Sequence, residues 1–392
     1  MKRSIERILT THAGSLPRPD DLRAMILKKQ QGETIDEAAF AARVKTAIGE
    51  IVARQSEAGI DIVADGEMGR IGFIPYVNER LAGIEPARGP APANYWNESR
   101  EYRAFPQFYA WAAQMPGTAG QTGRTRWVCT GPVSYKGMAA LQRDIATLKE
   151  ALAGKRYEEA FMPAVSPANL ANWNRNEHYN SDEEYLYALA DALREEYRAI
   201  IDSGLVLQID DPLFASYYVM HPEKSIEECR AWAATRVDAL NHALRGLPED
   251  RIRYHTCYSI NIGPRVHDME LKNIVDLMLR INAGAYSFEA ANPRHEHEWK
   301  VWTGVKLPAG KSLIPGVITH SSNIVEHPEL IAERIGRFAQ AVGKENVIAG
   351  ADCGFASFAA TCEVHPSVVW VKLQALAEGA RLASKELWRR QP

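Results

Sequence analysis

Two short segments of the sequence combine residue types that bind metal ions. His255 and Cys257 stand two positions apart in RYHTCYS, and Cys353 occurs in AGADCGFAS. Each segment closes a run that predicts a buried strand, in which residues i and i+2 point to the same face. An imidazole and a thiolate on one face, joined by a second thiolate from another strand end, form most of a zinc site. Three protein ligands leave zinc a fourth position for a substrate, which is typical of catalytic sites.

Glu289, in SFEAAN, ends the next predicted strand after the one that carries His255. It is a candidate either for a fourth, carboxylate ligand that a substrate displaces, or for a hydrogen-bond acceptor of His255. An odd number of cysteines argues against a disulfide framework, so reduced thiols are available as metal ligands. The other cysteines are interpreted as structural: Cys129, Cys229 and Cys362.

Acidic residues end two further predicted strands. Glu67 lies in the segment DGE and Asp210 lies in QIDDP. Because buried carboxylates need partners, these two either pair with neighbouring arginines or recognise an ammonium group on a substrate. His320 ends the segment GVITH, where a neutral imidazole is a candidate general acid or base.

Length, composition and charge restrict the class of protein. The chain has 392 residues, 46% of them hydrophobic, and a net charge of −3. We predict one catalytic domain over residues 1–392, although the length also allows two domains. No basic block indicates a nucleic-acid partner, and no run of ~18 apolar residues predicts a membrane span. The start of the chain lacks the apolar core of a signal peptide, so we expect a cytoplasmic protein.

Predicted strands alternate with amphipathic helices, such as 181–204 and 327–343, and this alternation predicts a parallel sheet. Most strand candidates end in polar or small residues, as expected where a TIM barrel places its active site. A doubly wound open sheet is the alternative, with chemistry near one switch point. The prediction is an α/β fold, a (β/α)8 TIM barrel with an extra strand–loop segment, for which 161–167 is the candidate. Nine strand candidates compete for eight places: 8–15, 60–67, 125–132, 161–167, 206–212, 252–259, 285–292, 313–320 and 346–355.

Residues 84–124 interrupt this alternation with a segment rich in proline, glycine and aromatic residues. A loop of this length inside a compact domain is usually functional or disordered, and its aromatic content argues against disorder. It is interpreted either as a lid over the barrel mouth or as a satellite cluster on the barrel flank.

Eight motifs in one order resemble the cobalamin-independent methionine synthase family, specifically its C-terminal catalytic barrel. The resemblance runs over nearly the whole chain. The motifs are THAGSLPRP near the start, DGE at 65–67, TGPVS at 130–134, QIDDP at 208–212, HTC at 255–257, FEA around Glu289, GVITH ending at His320, and ADCGF around Cys353.

The resemblance implies roles for individual residues and a TIM-barrel fold. It implies that Glu67 and Asp210 hold the amino group of homocysteine, and that the backbone of Ala13, Gly14 and Ser15 meets its carboxylate. The implied role of His320 is to relay a proton to the methyl donor. Zinc would bind the substrate thiol and lower its pKa, with these residues as ligands: His255, Cys257, Glu289 and Cys353.

Two departures from the family concern the donor. The full-length synthase has a second, N-terminal barrel that helps bind the polyglutamyl folate, and this chain has no room for one. A tryptophan that follows TGPVT in the family is absent after Ser134 here. The chain also resembles shorter relatives, among them the zinc enzymes that open epoxides with the thiol of coenzyme M.

The function predicted from these observations is zinc-dependent methyl or alkyl transfer to a thiol, with homocysteine as the leading acceptor. The alternative within this class is a thiol transferase that opens an epoxide or accepts another alkyl donor, as epoxyalkane:coenzyme M transferase does. Alternatives from other classes are a zinc hydrolase or lyase that uses metal-bound water, and a zinc-stabilised binding protein. The expected partners are a small thiol and a small methyl or alkyl donor, with a corrinoid protein and a second copy of the chain as further candidates.

Overall fold

The chain folds around a barrel of eight parallel strands. The structure is a computed structural model, and it describes residues 1–87, 95–114, 127–259, 263–360 and 364–389. The strands in these ranges are β1 (Leu9–Thr10), β2 (Ile62–Val63), β3 (Leu81–Pro86), β4 (Trp127–Tyr135), β5 (Glu159–Val165), β6 (Asn174–Asn176), β7 (Val206–Asp210), β8 (Ile252–Thr256), β9 (Ala285–Phe288), β10 (Ser312–Ile318) and β11 (Ile348–Ala351).

Eight of these strands form one sheet in the order β1-β11-β10-β9-β8-β7-β5-β2. The pairs within it are parallel, and a parallel bridge between Thr11 and Ile62 joins the two outer strands. The N–H of Asp61 also donates to the carbonyl of Thr10 at 3.2 Å. The sheet therefore closes, which confirms the TIM barrel and makes the open-sheet alternative wrong.

The longer helices surround the barrel and bury apolar side chains against it, as α8 (Asp182–Asp202) does with Leu189 and Leu193. The helix predicted at 181–204 spans Asp182–Asp202, with the hydroxyl of Ser181 accepting from the N–H of Glu184 at its start. The α-helices are α1 (Asp20–Gln30), α2 (Glu37–Glu57), α3 (Pro75–Asn78), α4 (Arg100–Ala104), α5 (Pro106–Ala112), α6 (Met138–Leu152), α7 (Pro167–Trp173), α8 (Asp182–Asp202), α9 (Pro212–Met220), α10 (Ile226–Leu244), α11 (Val275–Met278), α12 (Val301–Gly304), α13 (Pro328–Val342) and α14 (Pro366–Leu387). Short 3-10 helices lie at Tyr95–Glu98, Glu249–Arg251, Leu271–Asn273, Glu296–Lys300 and Lys344–Asn346.

The extra strand is not the one that the sequence indicated. Residues 161–167, the weakest candidate, contribute to β5, which is a barrel strand buried at six of its seven positions. The candidate at 125–132 corresponds to β4, which lies outside the barrel. From Thr130 to Tyr135 this strand alternates between exposed and half-buried residues. Continuous burial is typical of strands covered on both faces, whereas β4 has a solvated face.

A three-stranded side sheet in the order β3-β4-β6 carries the base of the insertion. The insertion at 84–124 begins within β3 and contains α4 and α5, while residues 88–94 and 115–126 lie outside the described part. Aromatic side chains of the insertion contact one another. The ring centroids of Phe108 and Trp111, for example, lie 5.9 Å apart. Trp96 is buried, so part of the insertion packs against the barrel.

The barrel interior is filled from the strands themselves. A small apolar cluster has members on seven of the eight barrel strands, including Phe161 and Ile314. On the eighth strand, the buried guanidinium of Arg253 lies 3.9 Å from the centroid of the Phe161 ring. It donates to the hydroxyl of Thr11 at 2.9 Å and to the carbonyl of His12 at 2.7 Å. The barrel interior below the strand ends is therefore a packed core.

None of the helices among the described residues is both long and apolar enough to cross a membrane. The expectation of one domain over residues 1–392 stays a prediction, as does the cytoplasmic location.

Lys372 on α14 is fully buried and donates to the carboxylate of Glu326 at 2.7 Å. We expect Lys372→Met to lower the free energy of unfolding by about 3 kcal/mol, because it leaves the Glu326 carboxylate buried without its cation. Denaturant unfolding measures the difference. Lys385→Met is the matched control, since Lys385 is an exposed residue of the same helix. An equal loss of unfolding free energy in the two variants would show that the ion pair of Lys372 with Glu326 does not stabilise the fold.

Candidate metal centre and substrate cavity

Three candidate metal ligands meet at the carboxyl edge of the barrel. His255 lies on β8, Cys257 follows that strand, and Cys353 comes two residues after β11. One imidazole nitrogen and the two sulfur atoms all lie within 4.8 Å of one another. Both thiols are free and buried, with their sulfur atoms 3.1 Å apart. The structure therefore contains a candidate metal-binding group at the place that the sequence predicted.

One nitrogen of the His255 imidazole forms a hydrogen bond, and the other has no hydrogen-bond partner among the described residues. Its Nδ1 lies 3.0 Å from the hydroxyl oxygen of Ser287 on the neighbouring strand β9. Its Nε2 is buried and has no hydrogen-bond partner among the described residues. Burial, and then the charge of Arg253, lower the pKa of His255 to about 3, so the ring is neutral. A neutral ring that donates from Nδ1 to Ser287 presents the Nε2 lone pair to a cation.

A bound cation would also stabilise the two thiols in their thiolate form. The hydrogen bond with Cys257, followed by burial, raises the pKa of the Cys353 thiol well above its ordinary value. A coordinated divalent cation reverses this effect, because a thiol that binds a metal loses its proton. Two thiolates and one imidazole are a donor set typical of zinc. The residues present therefore fit the metal that the sequence suggested.

Glu289 lies in a second group, with His320 and Asp352. Its carboxylate accepts from the N–H of Tyr258 at 2.7 Å and from the guanidinium of Arg265 at 2.9 Å. The amide of Asn292 also donates to it, at 2.8 Å. The role of Glu289 as a zinc ligand stays a prediction. The hydrogen-bond partner of the His255 ring in this structure is Ser287.

His320 is fully buried, and it is not among the described residues that line the cavity. Burial lowers its pKa to about 4, so its imidazole is neutral. Its neighbour in the group, Asp352, accepts from the backbone N–H groups of residues 290–292 at 2.7–3.0 Å. The proton-relay role of His320 stays a prediction.

Glu67 and Asp210 are both buried and both line the same cavity. One carboxylate oxygen of Glu67, Oε2, has no hydrogen-bond partner among the described residues. Burial raises the pKa of Glu67, and burial together with Glu67 raises that of Asp210 well above its ordinary value. Each carboxyl group would regain stability from a cation, since a nearby positive charge favours the ionised form.

The backbone holds these carboxyl groups in place. Glu67 has a φ of 58°, a left-handed conformation, and its carbonyl accepts from the guanidinium of Arg18 at 2.9 Å. Asp210 accepts from the amide of Gln208 at 2.7 Å, and the same amide donates to the carbonyl of Ala13 at 2.6 Å. Non-glycine residues with positive φ are uncommon and concentrate at functional sites.

The segment of Ala13, Gly14 and Ser15 lies beside these acids, and both Ala13 and Ser15 line the cavity. Gly14 has a φ of 130°, and a Cβ there would lie 3.0 Å from Oε1 of Glu67. The N–H of Gly14 donates to Nδ1 of His12 at 3.1 Å. Binding of a substrate carboxylate by this segment stays a prediction.

The cavity over these groups holds about 720 Å³ of space, part of it open to solvent. Sequence reasoning missed most of its apolar wall, because aromatic residues in loops and helices are read first as packing. It also missed Ser287 and Gln208, although polar residues inside buried strands, two positions before Glu289 and Asp210, were a usable signal. The apolar lining residues are Phe73, Trp96, Trp173, Leu213, Met220 and Phe358.

Comparison with known proteins gives relatives in sequence and a solved structure of similar fold. The chain is 24% identical over 381 residues to a methionine synthase of Thermococcus kodakarensis, covering 97% of this chain and 94% of that one. It is 25% identical to a 5-methyltetrahydropteroyltriglutamate–homocysteine methyltransferase of Thermotoga petrophila, covering 88% of this chain but 41% of that one. A solved structure of a B12-independent methionine synthase from Shewanella sp. W3-18-1 superposes with a TM-score of 0.72 at 21% identity, covering 97% of this chain and 99% of that one. This likeness supports the barrel fold.

A family model described as the catalytic domain of cobalamin-independent synthase matches residues 8–104 and 124–369. The two stretches make up most of the chain and include the segments around His255, Glu289 and Cys353. The chain therefore belongs to the family of the cobalamin-independent synthase catalytic domain, which confirms the resemblance seen in its motifs.

Proposed function

We propose that this protein is a zinc-dependent transferase that activates the thiol of homocysteine, or of a similar amino thiol, and transfers a methyl or alkyl group to it. One observation carries the proposal. The candidate metal ligands His255, Cys257 and Cys353 line the same cavity as Glu67, whose carboxylate has an oxygen without a partner among the described residues. A molecule with a thiol at one end and an ammonium at the other fits both features.

The candidate ligands would hold zinc through the Nε2 of His255 and the sulfur atoms of Cys257 and Cys353. A substrate thiol coordinated to zinc there would be a thiolate at neutral pH, and that thiolate would be the nucleophile. Ser287 keeps the ring of His255 in the tautomer that presents Nε2. His255, Cys257 and Cys353 are buried, which would limit the access of water to the reacting sulfur.

Glu67 and Asp210 would orient the amino thiol by accepting hydrogen bonds from its ammonium group. Gln208 holds the Asp210 carboxylate at 2.7 Å and so limits its rotation. Fixing the substrate at both ends reduces the entropic barrier to an in-line displacement. The names of the relatives from Thermococcus and Thermotoga, both concerned with methionine formation, support homocysteine as the acceptor.

The cavity disfavours the alternatives. Coenzyme M carries a sulfonate, which no lysine or arginine among the described lining residues would bind and which carboxylates at Glu67 and Asp210 would repel. A hydrolase would need an acidic metal-bound water, but thiolate ligands donate charge to zinc, and zinc hydrolases more often use histidine and carboxylate.

The metal shell itself tests the proposal. We expect the purified protein to bind one zinc ion, and zinc K-edge absorption to show one additional sulfur ligand when homocysteine is added. Cys353→Ser should lose the zinc while the barrel still folds, because the core does not depend on the metal. Cys229→Ser is the control, since Cys229 is a buried cysteine on α10, outside the candidate site. If no added thiol changes the set of zinc ligands, the thiol-activation proposal is wrong.

The orienting role of Ser287 gives a second prediction. Ser287→Ala removes the acceptor of His255 Nδ1, and we expect zinc affinity to fall roughly 10- to 100-fold. Ser312→Ala is the matched control: Ser312 is also a buried strand serine, but its hydroxyl has no partner among the described residues. Competition with a chelator measures both affinities. Equal affinities in the two variants would show that Ser287 does not orient the ring.

The ammonium-binding role of Glu67 is tested with a pair of thiols. The unmodified protein should prefer homocysteine over 4-mercaptobutyrate, which lacks only the amino group, by roughly 10- to 100-fold. Glu67→Gln should remove most of that preference and leave zinc content unchanged. Titration of each thiol against the metal-loaded protein gives the affinities. If the variant keeps the full preference, Glu67 does not bind the ammonium group.

A further inference from the structure

The residues that line the cavity indicate the chemical class of the methyl or alkyl donor, which the proposed function does not specify. Four aromatic side chains line the cavity: Phe73, Trp96, Trp173 and Phe358. The rings of Phe73 and Phe358 contact each other in an edge-to-face arrangement, with centroids 5.7 Å apart and planes at 62°. Aromatic faces carry partial negative charge and attract cations, most strongly where water is excluded.

The carboxyl groups of the cavity wall have no cationic counterpart among its described residues. Glu67 and Asp210 contribute two carboxyl groups, and none of the described lining residues is lysine or arginine. The charges of Arg18 and Arg70 favour the ionised form of Glu67, but neither arginine is among the described residues that line the cavity. Arg18 donates to the carbonyls of Glu67 and Ala356, and Arg70 donates to the carbonyl of Pro163 and lies 4.1 Å from the Tyr76 ring centroid.

An amino thiol would use only part of this wall. Its ammonium would meet the carboxyl groups of Glu67 and Asp210, whereas its own carboxylate and its activated sulfur are both negative. The bound thiol would therefore present negative groups to the donor, and none of the described lining residues supplies a lysine or arginine to offset them. Charges interact more strongly at a partly buried site than in bulk water, so the second substrate gains most if it is a cation.

We infer that the donor is a small onium cation, a methylsulfonium or a methylated quaternary ammonium compound, held between the aromatic rings and the acidic side of the cavity. The inference rests on the proposed function, because it assumes an activated thiol at the candidate metal centre. A polyanionic donor would meet charge of its own sign, and an uncharged donor would gain nothing from the carboxylates.

The transfer balances without a further reactant. The thiolate sulfur forms a bond to the methyl carbon, and the bond from that carbon to the positive sulfur or nitrogen breaks. The electron pair of the broken bond stays on the leaving atom, which departs as a neutral sulfide or amine. No proton is needed, so this donor class places no demand on a relay through His320. A step in which opposite charges neutralise each other is favoured by the exclusion of water.

The test uses the zinc-loaded protein with homocysteine and trimethylsulfonium that carries deuterated methyl groups. We expect deuterated methionine by mass spectrometry, and we expect calorimetry to show trimethylsulfonium binding at least roughly tenfold more tightly than uncharged tert-butyl alcohol of similar size. Phe73→Leu should lower kcat/KM for trimethylsulfonium roughly tenfold, because it removes one ring face. Trp111→Leu is the control, since Trp111 is 56% exposed and is not among the lining residues.

Parallel reactions with 5-methyltetrahydrofolate and methylcobalamin separate the two proposals. If homocysteine adds a sulfur to the zinc shell but trimethylsulfonium neither binds nor reacts, the onium inference is overturned and thiol activation stands. Methionine formed from the folate or the corrinoid alone would identify the donor class that replaces it. If homocysteine leaves the zinc shell unchanged, the failure belongs to the proposed function.

Discussion

The site depends on the register of three neighbouring parallel strands. Asp210 on β7 is opposite His255 on β8, and His255 is opposite Ser287 on β9. Because side chains in equivalent positions of paired strands point the same way, this register places an acid, a ligand and its orienting hydroxyl side by side. A slip of one residue would turn His255 out of the site. Strand pairing thus determines which side chains can act together.

A close approach of two strands positions the third ligand. β10 pairs with β11 at Gly316 and Gly350, and a Cβ on Gly316 would lie 2.7 Å from the backbone of Asp352. The absence of a side chain lets the Asp352 carboxylate reach the N–H groups of residues 290–292. Cys353 is the next residue after Asp352. The hydrogen bonds from residues 290–292 to the Asp352 carboxylate therefore also hold the backbone at Cys353 in position.

Two of the buried atoms without a partner lie where a ligand would complete them. His255 Nε2 and Glu67 Oε2 are both buried without a partner among the described residues. A buried polar atom without a hydrogen bond costs roughly 1–3 kcal/mol, so such atoms persist where function requires them. The left-handed backbone at Glu67 is a further local strain at the same place.

The sequence by itself determined the fold class, the closing of an α/β barrel and the meeting of His255, Cys257 and Cys353. These followed from local rules: the two-residue period of a strand, the alternation of strands and helices, and the position of strand ends in a barrel. Tertiary structure decided which of nine strand candidates entered the barrel, because burial on both faces at β5 and solvation at β4 depend on what packs against them. It also decided the partners of Glu289 and the aromatic wall of the cavity. Those contacts join residues far apart in the chain, such as Phe73 with Phe358, and no local pattern encodes such distances.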